Sequence, residues 1–276
     1  MHCVGNDIVD LKTPHALMKS RDLRFVRRIC TTNEQTLVKK AAHQDRMLWS
    51  LWAAKEASFK AMLKRNPCIS SIPRQHSITL LNPEMLGDKK RVRCWGFADT
   101  PGTHIRIMIE AGSEFVHCIG ISDGNVFRQN IRACVEKVRV DNINDPLSSK
   151  HVESAAVRTA VRAEIAQHEN CRPSDITIIR SPHRRGLGPP SVFVRGHKSN
   201  TDISMSHDGR FIAYAILFSR EPNLPERQPD AEPATVWQCE CGLHTINILQ
   251  KQYIRIQRGT TIPDCQDRTY SNFIEQ

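Results

Sequence analysis

Asp7 and Glu56 each sit in a short phrase whose residue types suit metal-assisted phosphoryl chemistry. Residues 4–11 read Val-Gly-Asn-Asp-Ile-Val-Asp-Leu, an apolar strand interrupted by carboxylates at Asp7 and Asp10. Residues 52–60 read Trp-Ala-Ala-Lys-Glu-Ala-Ser-Phe-Lys, helix-forming residues around a single Glu56. Carboxylates from two separate elements can chelate a hard cation, and such a cation beside lysines can hold a pyrophosphate. Trp52, Glu56, Lys60 and Lys64 recur at every fourth position, so they share one helix face. By itself that spacing also describes an ordinary exposed Glu–Lys pair, worth roughly a few tenths of a kcal/mol. Asp10 lies three positions beyond Asp7 and points to the opposite face of the strand, which leaves it out of the proposed chelate.

A third phrase, Ile203-Ser-Met-Ser-His-Asp-Gly209, runs into Asp208-Gly209, a strong short-range hairpin signal. Strand alternation puts Met205 and His207 on one face, Ser204 and Ser206 on the other. A histidine at a strand end is, by itself, more often a structural hydrogen-bonder. In this order the three phrases resemble the 4'-phosphopantetheinyl transferases, most of all the holo-acyl-carrier-protein synthases. The likeness is carried by the N-terminal segment holding the first two phrases, with Arg24-Phe25 and Thr31–Glu34 between them.

The resemblance implies a Mg²⁺ held by Asp7 and Glu56, with waters and the substrate pyrophosphate completing the shell. It implies that Lys60 faces the phosphates, that Lys55 adds a secondary contact, and that Glu56 helps remove the acceptor proton. Longer family members carry a third carboxylate two residues after the first Asp; Val9 stands there, as in the short synthases. Ser206 and His207 inherit contacts to the 3'-phosphate and pyrophosphate of coenzyme A. Arg162 fits the position of a family arginine on the preceding helix. The family's loop lysine falls at Leu187 in His183-Arg-Arg-Gly-Leu-Gly-Pro-Pro190, so Arg184 or Arg185 would supply that charge. The implied reaction moves phosphopantetheine from coenzyme A to a serine of an apo acyl or peptidyl carrier protein, in fatty-acid or polyketide synthesis for example. It releases adenosine 3',5'-bisphosphate. Such carriers are acidic, and the run Arg21, Arg24, Arg27, Arg28 is either their docking stripe or a solvated face.

The elements needed to position these residues are legible in part. A strand is predicted over 3–11 and a capped helix start at Thr31-Thr-Asn-Glu34. A long helix over 44–64 carries a narrow stripe of Leu51, Ala54, Ser58 and Ala61, suited to close packing. Strands are expected at 76–81, 92–95, 104–109 and 114–121, then a helix at 151–167 and a strand at 175–180. A Gly/Pro-rich loop over 181–190 and a hairpin over 201–218 complete the reading. The fold class is α+β: two similar halves, each a long helix on a small antiparallel sheet, forming a pseudo-dimer and a monomeric chain. The expected units are 1–125 (metal-binding), 126–219 (coenzyme A-binding) and 220–276, a Pro-rich linker with an unassigned tail. Longer two-half transferases run in the other order, so the arrangement reads as permuted.

Bulk properties narrow the partners. A net charge of +10 favours an anionic partner. The longest apolar run, Phe211 to Phe218, is far short of the roughly 20 residues of a membrane helix. No signal peptide is visible, and ten scattered cysteines suit reduced thiols, so a cytoplasmic location without membrane contact is expected. Cys239, Cys241 and His244 form a soft-ligand group lacking a fourth member nearby. The alternative reading is a non-catalytic coenzyme A binder or a basic nucleic-acid-binding module needing no Mg²⁺. Aromatics at 6% and the lack of any stacking-platform or zinc-finger spacing argue against nucleic acid.

Overall fold

A computed structural model describes residues 2–87, 91–122, 131–138, 146–183 and 186–218. Strand β1 (Cys3–Asp10) is followed by helices α1 (Leu23–Ile29), α2 (Thr32–Lys40) and α3 (Gln44–Leu63). Strands β2 (Ser77–Leu80), β3 (Val92–Thr100), β4 (Thr103–Ala111) and β5 (Phe115–Ser122) come next. Then come β6 (Ile131–Lys137), α4 (Pro146–His168), β7 (Ile176–His183), β8 (Gly186–Val194) and β9 (His197–Lys198). The hairpin β10 (Asp202–Asp208) and β11 (Phe211–Leu217) ends the described chain.

All strand pairs are antiparallel, in sheets ordered β1-β5-β4-β3-β2, β10-β11-β6 and β7-β8-β9. The chain is therefore α+β. The first strand of each large group, β1 or β6, pairs with the last, β5 or β11. Helix α3 lays Leu48, Leu51, Ala54 and Ala57 over Ile105, Ile107, Ile109, Val116 and Cys118 of the five-stranded sheet. The other face of that sheet meets the second: Val4, Met108, Ile119 and Ile121 pack on Ile131, Ala215 and Leu217. Alongside them, Ile8 and Phe115 meet Phe211 and Ala213. Helix α4 covers the far side with Val157, Val161 and Ile165 against Ile203, Ile212, Tyr214 and Ile216. The stacking order is thus helix, sheet, sheet, helix, with β1 in the seam between the sheets.

Several expectations are met closely. The stripe Leu51, Ala54, Ser58, Ala61 is fully buried. Thr31 and Glu34 make both halves of a capping box. The strand expected at 92–95 extends to Thr100, and the basic stretch after Arg21, to which the sequence assigns no element, forms α1. The predicted loop over 181–190 is corrected: Gly186–Val194 is a strand. Pro189 and Pro190 precede the stretch of β8 that β9 pairs with, Phe193 and Val194, so no ladder bond to β9 is asked of their missing N–H groups. The hairpin turn falls one residue later than read, at Gly209-Arg210, with Asp208 paired to Phe211. Gly209 takes φ 54, as the first position of such a two-residue loop can require. Residues 184, 185 and 219–276 lie outside the described residues, and with them Arg184, Arg185, the Pro-rich segment and the Cys239–His244 group. Among the described residues no helix is long and apolar enough to cross a membrane.

Gly5 shows how tightly α3 sits. A Cβ there would come within 1.9 Å of the Ala57 carbonyl oxygen, so β1 and α3 touch backbone to backbone. Its register partner Gly120 meets the same turn of α3, where an added methyl would lie 3.2 Å from both Ala57 C and Ser58 N. Backbone contact has little room to relax, and overpacking of this kind costs about 1–3 kcal/mol or more. Gly5→Ala is expected to lower the melting temperature by at least about 5 °C, at roughly 2–4 °C per kcal/mol. Gly87→Ala, whose methyl meets only Ala42 Cβ at 3.7 Å, should stay within about 2 °C of wild type. Equal shifts in thermal melting would show that the β1–α3 approach is not limiting.

Candidate active site

Among the described residues, strand β1 has a hydrogen-bonded strand neighbour, β5, on one edge only. Along its other edge, side chains take the place of a strand. Val4 N–H donates to Asp202 Oδ2 at 2.7 Å and Asn6 N–H to Ser204 Oγ at 2.8 Å. Asp10 N–H donates to Asp208 Oδ2 at 2.8 Å, and Ile8 N–H faces the Asp7 carboxylate. Two lysines from α3 serve the carbonyls: Lys60 Nζ reaches Asn6 O at 3.0 Å and Lys64 Nζ reaches Val4 O at 2.6 Å. Lys64 also binds Ile203 O at 2.7 Å and both Asp202 oxygens at 2.8 and 2.9 Å. The helix face predicted from the four-residue spacing is therefore the face that meets this edge.

Three charged groups gather where α3 crosses β1. Lys60 Nζ lies 2.7 Å from Asp7 Oδ1. Asp7 is nine-tenths enclosed, while Glu56, on the next turn of α3, keeps part of its surface open. Burial pushes the Asp7 carboxyl above its usual range, against the pull of the Lys60 charge and its hydrogen bond. Burial and then the Asp7 charge push Glu56 up to about 7. Two carboxylates short of solvent, the charge of one raising the proton affinity of the other, form a donor set that fits a hard divalent cation. Among the described residues, no group of three or more His, Cys, Asp or Glu side chains is poised to hold a metal. The candidate donors are therefore the pair Asp7 and Glu56, with other shell positions left to water or substrate oxygen.

The Ser206–His207 strand comes up against this cluster, but its two residues face opposite ways. Ser206 Oγ accepts a bond from Asn6 Nδ2 at 3.0 Å on the β1 side. His207 turns to α4, its Nδ1 2.8 Å from Glu153 Oε2, and stays partly open. Asp208 follows on the β1 side; burial first, then the charges of Asp10 and Asp7, raise its carboxyl. Asp10 is spent on structure. Its carboxylate takes Arg210 Nε and Nη2 at 2.8 Å each and the N–H groups of Arg210 and Lys12, which hold it below the usual range.

Other expected residues lie elsewhere. Lys55 is sealed in the core: its ammonium bonds Glu34 Oε1 at 2.9 Å, His76 O at 2.7 Å and Pro73 O at 3.1 Å. Glu34 in turn accepts from Thr31 N–H and Ile78 N–H, each at 2.7 Å. The expected phosphate contact of Lys55 is therefore corrected to a buried clamp joining α2, α3 and β2. Arg162 is half-buried, with an Nε that has no partner among the described residues. It lies nine residues beyond Glu153 on α4, about 13 Å along the axis, which separates it from the His207 contact. Arg185 is outside the described residues.

The sequence reading missed Arg158 and Arg180. Arg180 bonds the carbonyls of Gly188 and Leu187 at 2.7 and 2.9 Å, so positive charge reaches the Leu187 position from β7. Burial and the nearby Arg158 charge hold Arg180 below its ordinary range. Asn6, Asp202 and Asp208 were also missed. Their signal was present in the alternation of β1 and β10, which puts them on the same sides as Val4 and Ser206. The basic residues Arg21, Arg24, Arg27 and Arg28 are exposed on and beside α1. Phe25 ties that helix to α3, its ring 5.8 Å from Trp49 and 6.0 Å from Trp52, one turn before Glu56.

Residues 3–91 match the family model described as the 4'-phosphopantetheinyl transferase superfamily. Residues 3–91, about a third of the chain, are thus similar to that superfamily. The match includes Asp7, Glu56 and Lys60 and ends before β3, so it does not extend to Ser206 and His207. No curated protein matches the chain.

The carboxylate pair has a consequence for stability that needs no substrate. In the folded protein Glu56 gives up its proton near pH 7, against a usual 4.5. Between those values the folded state binds more protons than the unfolded one, so this residue's contribution to stability falls as pH rises. In chelator, Glu56→Gln should remove that fall. The variant is expected to melt a few degrees above wild type at pH 8, and the gap should nearly close at pH 5. A gap of the same size at both pH values would show that Glu56 ionises normally.

Proposed function

We propose that this chain is a Mg²⁺-dependent 4'-phosphopantetheinyl transferase of the holo-acyl-carrier-protein synthase type. It moves phosphopantetheine from coenzyme A to a carrier-protein serine and releases adenosine 3',5'-bisphosphate. The observation that carries this reading is the Asp7–Glu56–Lys60 cluster at the open edge of β1, facing the strand of Ser206 and His207. In this reading Asp7 and Glu56 would hold the cation, and the charge it supplies would offset that of the pyrophosphate. Lys60 stands beside the same phosphates and stabilises charge as the phosphorus–oxygen bond breaks. Glu56, directly or through a metal-bound water, would accept the serine proton. His207 turns Nδ1 to Glu153, which leaves Nε2 to meet a phosphate of coenzyme A.

Two structural extensions belong to the same proposal. The chain is read as a metal-binding half (1–125), a coenzyme A-binding half (126–219) and a tail, with the halves arranged as a pseudo-dimer around one site. The shared strand plan, first strand paired with last in each group, supports that division. The carrier is read as docking on α1, where Arg24, Arg27 and Arg28 flank the exposed Leu23, with Leu17 and Met18 nearby. A basic rim around apolar side chains suits a small acidic partner.

Incubation with apo-carrier, coenzyme A and Mg²⁺, followed by mass measurement of the carrier, tests the activity. Glu56→Gln and Asp7→Ala are each expected to slow transfer at least about 100-fold, and Asp7→Ala should also raise the Mg²⁺ requirement. Near-normal turnover in either variant, with an unchanged Mg²⁺ titration, would remove that residue from the site. For docking, wild-type activity at sub-saturating carrier should fall as salt rises, since attraction is screened over about 8 Å at physiological salt. Charge reversal at Arg24 and Arg28 should flatten that slope with coenzyme A affinity and melting temperature unchanged. Coincident slopes from folded variants would put the carrier elsewhere.

A further inference from the structure

Asn6 stands where the pattern of its strand asks for an aliphatic residue. Val4 and Ile8 on the same face pack into the seam between the sheets, and Asn6 is fully buried between them. Burying an amide there carries a desolvation cost that a leucine would avoid. Its polar groups reach three elements. Nδ2 donates to Ser206 Oγ at 3.0 Å and lies 3.4 Å from His117 Nε2 on β5. The backbone N–H donates to Ser204 Oγ at 2.8 Å. The backbone carbonyl accepts from Lys60 Nζ at 3.0 Å, the same ammonium that binds Asp7. Oδ1 is buried with no partner among the described residues.

The contacts on either side have another character. Asp202 and Asp208 hold the two ends of β10 to β1 through carboxylates, and Lys64 reinforces the first. Those ends keep the sheets together whatever stands at position 6. In the middle, next to His207, the only side-chain donor from β1 to β10 among the described residues is the Asn6 amide. Burial holds His117 neutral, with a pKa of about 3, and its Nε2 lies 3.4 Å from the same amide nitrogen.

We infer that Asn6 is a positioning residue that sets the register of the Ser206–His207 segment against the Asp7–Lys60 pair. It aligns the coenzyme A side of the site with the cation side. The inference rests on the transferase reading and assigns Asn6 no contact with substrate. Its consequence is a division of labour along one strand: Asp7 acts on the chemistry, and the residue before it fixes where the substrate's phosphates are held.

The test compares Asn6→Leu, Ser206→Ala and the double variant in carrier transfer with varied coenzyme A, alongside thermal melting. Asn6→Leu is expected to raise KM for coenzyme A about fivefold, the size of one lost neutral hydrogen bond. Its kcat should stay within about twofold, and its Mg²⁺ midpoint should not move. The double variant should be no worse than the poorer single variant, because both remove the same interaction. If Asn6→Leu does not fold, Asn6→Ala, which adds no atoms to the seam, gives the same readout. Independent, multiplying losses in the double variant, or a lower melting temperature with unaltered KM, would make Asn6 a packing residue and overturn the inference alone. Wild-type protein that makes no holo-carrier would overturn the transferase reading and this inference together.

Discussion

Everything in the described part of this molecule turns on the backbone of β1 along the edge that no described strand covers. Buried N–H and C=O groups without partners are too costly to persist, and this edge lies in the seam between two sheets. The solution is a row of side chains. Carboxylates and a hydroxyl from β10 take the N–H groups, and two lysines from α3 take the carbonyls. The same row brings α3, β1 and β10 to one place, so the demand for backbone hydrogen bonds and the assembly of the candidate site are one event. A paired edge would have left Asp7 beside another strand with no opening for a ligand.

The charges along the row are balanced unequally. Lys64 is almost fully enclosed and saturated by four oxygens, so it works as a rivet between the sheets. Lys60 is more open, its ammonium shared between Asp7 and one carbonyl, and it is the lysine able to change partner. Lys55 is the limiting case, locked with Glu34 in a pair where both side chains are 1% exposed. Removing one partner from such a pair typically costs about 3–5 kcal/mol. Three lysines on one helix thus differ in role because of what each meets, and helical spacing separates only the first from the other two.

That difference also shows what the sequence could and could not convey. Strand β1, helix α3 and the β10–β11 hairpin were legible because apolar periodicity and turn residues are local signals. Glu56 and Lys60 were legible because a helix of that spacing has one polar face. The burial of Lys55 was not, since it depends on Glu34 and on carbonyls at Pro73 and His76, brought together only by tertiary packing. Strand β8 was misread because Pro and Gly usually end strands, and the place where the short β9 pairs, beyond both prolines, is set by the fold. The nearness of Arg158 to Arg180 and the role of Asn6 depend on which elements face each other across layers. A periodicity argument on one strand holds no such information.

The side-chain row also bears on the order in which this chain can fold. Val4 and Asp202, or Asp10 and Arg210, are 198 and 200 residues apart. At a ribosome adding about 5–20 residues per second, β1 emerges roughly 10–40 s before the hairpin that covers it. In the later part of that interval, once Phe115–Ser122 has followed, α3 and β5 can be in place while the free edge of β1 faces water with its backbone groups open. Contacts of such sequence separation form late, and an uncovered strand edge is a template for association with other chains. The glycines at 5 and 120 draw α3 hard onto one face of β1, and β5 takes its other edge, so on this strand the edge that waits for β10 is what stays open.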